Sequence, residues 1–178
     1  INSPHNPSGA LWTAQDMQKL IELVSDTNII VLSDEVYEHI IFEGRRHESA
    51  LLYPELASRS FVISSFGKTY HCTGWKIGYC IAPKSLTDEF RKVHQYNTFC
   101  TFAPAQWAFA DMILQQPEHY LELGTFYQAK RDFFAEQLQR TRFKALPVPG
   151  GYFQLVDYSV ISDLPDAEFA RWLCVEKG

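Results

Sequence analysis

Six residues in three short stretches have types and spacing that could do chemistry together. Asn6 lies in "SPHNPSG", Asp34 and Tyr37 lie in "SDEVYE", and Ser65, Lys68 and Lys76 lie in "SSFGKTYHCTGWKIGY". A lysine attacks a carbonyl carbon when partial burial or a nearby base keeps its amine free. A carboxylate suits a protonated pyridine nitrogen. An asparagine and a tyrosine suit a phenolate oxygen, and a hydroxyl with a second cation can hold a phosphate. Taken together, these partners describe pyridoxal phosphate. Taken singly, each has a plainer reading. Asn6 satisfies the backbone of a Pro-flanked turn, Asp34 caps a helix or forms a surface ion pair, Tyr37 packs, and Lys68 is a solvated loop lysine.

The elements around these residues decide whether they can meet. "TAQDMQKLIELV" has Thr13 and Asp16 as a capping pair, then Met17, Leu20, Ile21 and Val24 at helical spacing. "NIIVLSDE" is a short apolar run ending in a carboxylate, the pattern of a strand buried on both faces of a parallel sheet. "SFVISSFGK" repeats that design, and "WKIGYCIAP" reads as a third strand. Strands alternating with helices predict an α/β layer structure, a mostly parallel sheet with covering helices, with ligands beyond the carboxyl ends of the strands, where Asp34, Ser65 and Lys68 fall. "SLTDEFRKVHQY" reads as a helix capped by Ser85, and Pro104 can open another through "PAQWAFADMILQQ". A longer helix is expected from Glu118 to Gln139, with Gly124 as a weak point. "KALPVPGGYFQLVDYS" then alternates like a strand pair and leads to a last helix. The boundary this predicts puts a larger unit at residues 1–120 and a long connecting helix with part of a smaller α+β unit at 121–178.

The totals exclude several classes. The 178 residues are 46% hydrophobic, enough to bury a core, and no apolar run is long enough to span a bilayer. Sixteen basic against 21 acidic residues give a net charge of −5 without a basic block, which argues against nucleic acid or an anionic membrane as partner. Cys72, Cys80, Cys100 and Cys174 form no CxxC pair, so a reducing compartment, the cytoplasm, is expected. The six histidines form no HExxH, and no metal is expected; His71 beside Cys72 reads as packing. No serine sits in a G-x-S-x-G elbow, and "PGGYF" lacks the glycine spacing of a nucleotide loop.

"HNPSG", "SDEVYEHIIF" and "SSFGKTYHCTGWKIGY", in this order and at these separations, resemble the motifs of the class I aminotransferases of the fold-type I pyridoxal-phosphate enzymes. The resemblance is nearest to the methionine/kynurenine aminotransferase branch. It implies that Lys68 bonds the cofactor aldehyde and later moves the proton between the substrate α-carbon and the cofactor. It implies that Asp34 keeps the pyridine nitrogen protonated, that Asn6 and Tyr37 contact the phenolate oxygen, and that Ser65 and Lys76 bind the phosphate. Lys76 stands where aspartate-type members carry arginine, and lysine offers charge without a bidentate fork. "HQYNTFCTFAP" lacks the arginine that dicarboxylate-specific members contribute to the neighbouring subunit, and carries Tyr96, Phe99 and Phe102. The donor implied is an apolar or aromatic amino acid, the acceptor a 2-oxo acid, and the full-length protein a homodimer.

The first residue is Ile1 and the last helix has nothing after it to cover its apolar face, so the sequence reads as the middle and later part of a longer protein. On that reading the 178 residues alone are catalytically incompetent. Two other functions use the same residues. A fold-type I β-lyase would expel a sulfur leaving group and release pyruvate and ammonia, and the sensor half of a transcription regulator would bind cofactor without turnover.

Overall fold

The computed structural model describes residues Ile1 to Gly178. Helix α1 (Ala14–Val24) starts at Thr13, where a complete capping box forms: the Thr13 side chain accepts from the Asp16 amide and the Asp16 carboxylate accepts from the Thr13 amide. This capping contributes about 1 kcal/mol. Strand β1 (Val31–Asp34) pairs in parallel with β2 (Ser60–Ser65), placing Asp34 beside Ile63. Between them, a single 3₁₀ turn and the short helix α2 (Pro54–Ala57) make the crossover. Met17, Val24, Val31, Leu56 and Val62 form the core under this layer, and burial of each such side chain stabilises by about 1.5–3 kcal/mol.

Strand β3 (Gly78–Ile81) joins the other edge of β2 in antiparallel register, with Gly78 opposite Ser65. Within this chain the sheet is therefore mixed, in the order β1-β2-β3. The expectation that β1 and β2 are covered on both faces fails: Leu32 is 59% exposed and Ile63 38%, while Val31, Ser33 and Val62 on the alternate positions are buried. One face rests on the α1 core and the other carries an apolar hollow bordered by Leu32, Phe61, Ile63 and Phe90.

Helix α3 (Phe66–Thr69) is one turn that follows β2 directly and carries Lys68. Helix α4 (Lys84–Asn97) has Pro83 at its N-cap, so Ser85 lies inside the helix and is not its cap. Proline opens α4 for the same reason it suits a first turn: the missing N–H would have had no partner there. Helices α5 (Ala103–Gln115) and α6 (Pro117–Leu138) follow. Gly124 does not interrupt α6. A Cβ there would stand 2.7 Å from the Ile41 carbonyl oxygen, so glycine is what lets the helix lie against that backbone. The chain ends with the two-stranded pair β4 (Lys144–Ala145) and β5 (Val156–Asp157) and with α7 (Asp166–Trp172), prolonged by a wider turn to Lys177. No helix is long and apolar enough to cross a membrane.

Candidate active site

The site is assembled where β1 and β2 end. The amide of Asp34 donates to the Ile1 carbonyl, and the Asp34 carbonyl accepts from the Ser3 amide (3.1 Å) and from Asn2 Nδ2 (2.9 Å). The first loop, which carries Asn6, is thereby tied to the end of β1. Its peptide bonds Ser3–Pro4 and Asn6–Pro7 are cis, and the Asn6 amide donates to Asn2 Oδ1 (2.8 Å). The Asp34 Oδ1 accepts from the Val36 amide (3.3 Å), which turns the chain into the segment holding Tyr37.

Tyr37 is 2% exposed and belongs to a core of Ile40, Phe42, Leu123 and Val148. Burial pushes its phenol well above the ordinary value, and the neighbouring Tyr152 and the charge of Asp34 push it further. The Lys68 Nζ stands 5.7 Å from the centre of the Tyr37 ring and 5.6 Å from that of Tyr152. It donates a hydrogen bond of 3.0 Å to the Tyr152 hydroxyl. The amine of α3 thus lies over a buried ring just after β1.

Ser65 is the last residue of β2 and the N-cap of α3, and its side chain does not cap that helix. Lys76 is exposed in a left-handed conformation (φ 55°) two residues before Gly78, the partner of Ser65 across the sheet. The geometry places the Lys68 amine over the Tyr37 ring, and the ends of β1 and β2 put Asp34, Ser65 and Lys76 at the same end of the sheet. The Asn6 side chain is exposed on its loop and makes no hydrogen bond to the other five. Tyr96 (92% exposed), Phe99 (70%) and Phe102 (69%) project from the α4–α5 junction.

Sequence reasoning did not find Tyr152, 84 positions from Lys68, in the "PGGYF" segment weighed only for its glycines. Nor did it find the polar network under the site. Glu35, 1% exposed, accepts from Ser33 Oγ (2.7 Å) and the Ala50 amide (3.0 Å) and pairs with His47 Nε2 (2.7 Å). Glu38 accepts from Ser64 Oγ (2.6 Å) and from the Tyr79 hydroxyl. Glu35, Glu38 and His47 lie close enough to bracket a cation, but the direct pairing of Glu35 with His47 uses those atoms on each other. The one signal available was that Ser33 and Glu35 flank Asp34 at alternate positions where β1 ends, which puts them on its buried side.

Burial pushes the Glu35 carboxyl up, and the hydrogen bonds from His47, Ala50 and Ser33 outweigh it, leaving it below the ordinary glutamate value. A carboxyl held down when folded stabilises the folded state in full above its unfolded value, and that contribution is lost as pH falls through the folded one. Glu35→Gln should therefore cost about 2–4 kcal/mol in urea unfolding at pH 7, with the gap to wild type narrowing as pH falls below about 4.3. An unchanged gap across that range would show that the Glu35 charge is not what holds the network.

The chain belongs to the class I and II aminotransferases, whose family model matches residues 1–178, and its fold is part of the fold-type I aminotransferase fold. It is 51% identical to the methionine aminotransferase of Escherichia coli (strain K12), over 100% of this chain and 46% of that protein. It is 36% identical to a kynurenine–oxoglutarate transaminase of Dictyostelium discoideum, again over 100% of this chain and 46% of the relative. Among solved structures, Escherichia coli YbdL, described as having a methionine aminotransferase function, superposes with a TM-score of 0.96 at 51% identity, covering 98% of this chain and 46% of that one. The N-succinyldiaminopimelate aminotransferase from Mycobacterium tuberculosis superposes with a TM-score of 0.92 at 34% identity, covering 97% and 45%. The chain therefore spans somewhat under half the length of the relatives it matches.

Proposed function

We propose that the full-length protein carrying this chain is a pyridoxal-phosphate-dependent aminotransferase. It moves the amino group of an apolar or aromatic amino acid, of methionine, phenylalanine or kynurenine type, to a 2-oxo acid. The observation that carries this reading is the Lys68 amine over the Tyr37 ring, at the sheet end where Asp34 closes β1 and Ser65 closes β2. The donor set fits the cofactor chemically: an amine for its aldehyde, a carboxylate for its ring nitrogen, a tyrosine for its phenolate oxygen, and a hydroxyl with a cation for its phosphate. When bound, pyridoxal phosphate supplies the electron sink that makes an amino acid's α-proton removable.

The chain's own residues supply the rest. Lys68 would hold the cofactor through its aldehyde carbon, whose oxygen leaves as water, and would carry the proton between the substrate α-carbon and the cofactor. Asp34 holds the proton on the pyridine nitrogen. Tyr37 and Asn6 would donate to the phenolate oxygen, and Ser65 and Lys76 would hold the phosphate. The same reading assigns residues 1–120 to the cofactor-binding domain and the remainder to the connecting helix and a smaller domain. It makes the protein a cytoplasmic homodimer, in which the Tyr96, Phe99 and Phe102 stretch lines the neighbouring subunit's pocket.

The name of the Escherichia coli relative supports an apolar donor, as does the absence of arginine from "HQYNTFCTFAP". Turnover against methionine, phenylalanine, kynurenine, glutamine and aspartate with a 2-oxo acid acceptor tests it. The apolar and aromatic donors should exceed aspartate in kcat/KM by about 100-fold, since a charged side chain would lie unpaired in an apolar pocket. Preference for aspartate contradicts the donor assignment. Release of pyruvate and ammonia without amino transfer makes the protein a β-lyase, and cofactor binding without turnover makes it a sensor.

A further inference from the structure

The segment opposite Lys68 is fixed by the backbone. The Gly151 amide donates to the Ile40 carbonyl (2.8 Å) and the Phe42 amide to the Pro149 carbonyl (3.0 Å), with Ile41 and Gly150 forming a bridge. Gly151 takes a φ of 75°, which an L side chain rarely adopts, and the chain turns there to deliver Tyr152 to the edge of the Tyr37 ring. The two rings meet edge to face with centroids 5.1 Å apart. Tyr127, from α6, leans on the other side at 5.7 Å. The hydroxyl of Tyr152 is left with the Lys68 amine as its hydrogen-bond donor, 3.0 Å away.

We propose that Tyr152 is a positioning residue for Lys68: its hydroxyl oxygen holds the unbonded amine over the Tyr37 ring, so that a residue from the later part of the chain sets where the lysine rests. An amine at the end of four rotatable bonds has many places to be, and fixing one of them converts a search into a short displacement. The titratable groups packed around Tyr152 are Lys68 from α3, Tyr37 from the segment after β1 and Tyr127 from α6. Burial pushes the Tyr152 phenol up, while the hydrogen bond from Lys68, the adjacent Tyr37 and the lysine's charge outweigh this and leave it below the ordinary value. That direction is what an acceptor of an ammonium hydrogen bond should show.

The pair itself needs no cofactor; what it is for rests on the pyridoxal-phosphate reading. Both parts can be measured in the full-length protein. Ultraviolet titration of tyrosinate in the cofactor-free protein should show one phenol ionising early. That phenol should be absent in Tyr152→Phe and moved up by about one pH unit or more in Lys68→Ala. Trinitrobenzenesulfonate labelling, mapped by peptide mass spectrometry, should modify Lys68 about three to ten times faster in Tyr152→Phe, because the amine is no longer held against the Tyr152 oxygen. Other lysines and the thermal midpoint should be unchanged, since Tyr152 is 38% exposed. In the loaded enzyme, kcat should fall about tenfold with KM within about twofold. Tyrosine titrations unmoved in Lys68→Ala, or Lys68 labelled at the wild-type rate in Tyr152→Phe, would overturn the proposal. A wild-type protein that does not use pyridoxal phosphate would sink the functional reading and leave the first two measurements able to decide the pair.

Discussion

Lys68→Ala should abolish transamination in the full-length protein, lowering kcat/KM by at least about 10⁴-fold, and should abolish covalent retention of the cofactor. The fold should survive. Lys68 makes one hydrogen bond and two ring contacts at a half-exposed position, each worth about 1 kcal/mol or less. The expected loss is large because the proposed function puts two duties on one amine: bonding the aldehyde and carrying the α-proton. Arginine cannot replace it, since a guanidinium stays charged and has no lone pair to give. Purified Lys68→Ala protein should show wild-type circular dichroism and no turnover with any donor. Turnover within tenfold of wild type would assign the chemistry to another residue.

Asp34→Asn should have the second largest effect, and a different one. The Asp34 carbonyl and amide, which tie the first loop to β1, are backbone groups and stay in place. The asparagine Oδ1 can still accept from the Val36 amide. The site keeps its shape and loses one negative charge. Cofactor should still bind, while α-proton removal, followed in single turnover with α-deuterated donor, should slow by about 10³-fold. With the charge gone, the Tyr37 phenol should also ionise more easily, because Asp34 is one of the groups holding it up. A wild-type single-turnover rate in Asp34→Asn would mean that the carboxylate does not serve the ring nitrogen.

How much of this was legible in the sequence depended on whether the interaction was local. The α1 cap was readable because Thr13 and Asp16 find each other within one turn. The ends of β1 and β2 were readable because a short apolar run followed by Asp34 or by Ser65 and Gly67 has few other uses in an α/β chain. Burial on both faces was misjudged because apolar alternation says which residues favour a cover and not whether this chain supplies it, and Leu32 and Ile63 lie uncovered. The direction of β3 was open because a strand after a turn can return antiparallel as easily as cross over. Gly124 looked like a weak point because propensity treats glycine as a cost, whereas the close Ile41 carbonyl makes it a fit.

The candidate site divides the same way. Asp34, Tyr37, Ser65 and Lys68 sit in short motifs whose residue types already imply their partners. Tyr152 could not be found that way, since its place beside Lys68 comes from backbone pairing between the 40–42 and 149–151 segments. Glu35, Glu38 and His47 were passed over because a buried carboxylate with hydroxyl, amide and imidazole partners looks, in sequence, like any exposed acid near a histidine. His47 Nδ1 is the one buried side-chain polar atom without a partner.

One measurement bears most directly on the central claim, that the Lys68 amine is the group that bonds the cofactor aldehyde. The full-length protein is incubated with pyridoxal phosphate, reduced with borohydride, digested and mapped by mass spectrometry. A phosphopyridoxyl group on Lys68 is the expected result. A group on Lys76 or another lysine, or on none, would contradict the account.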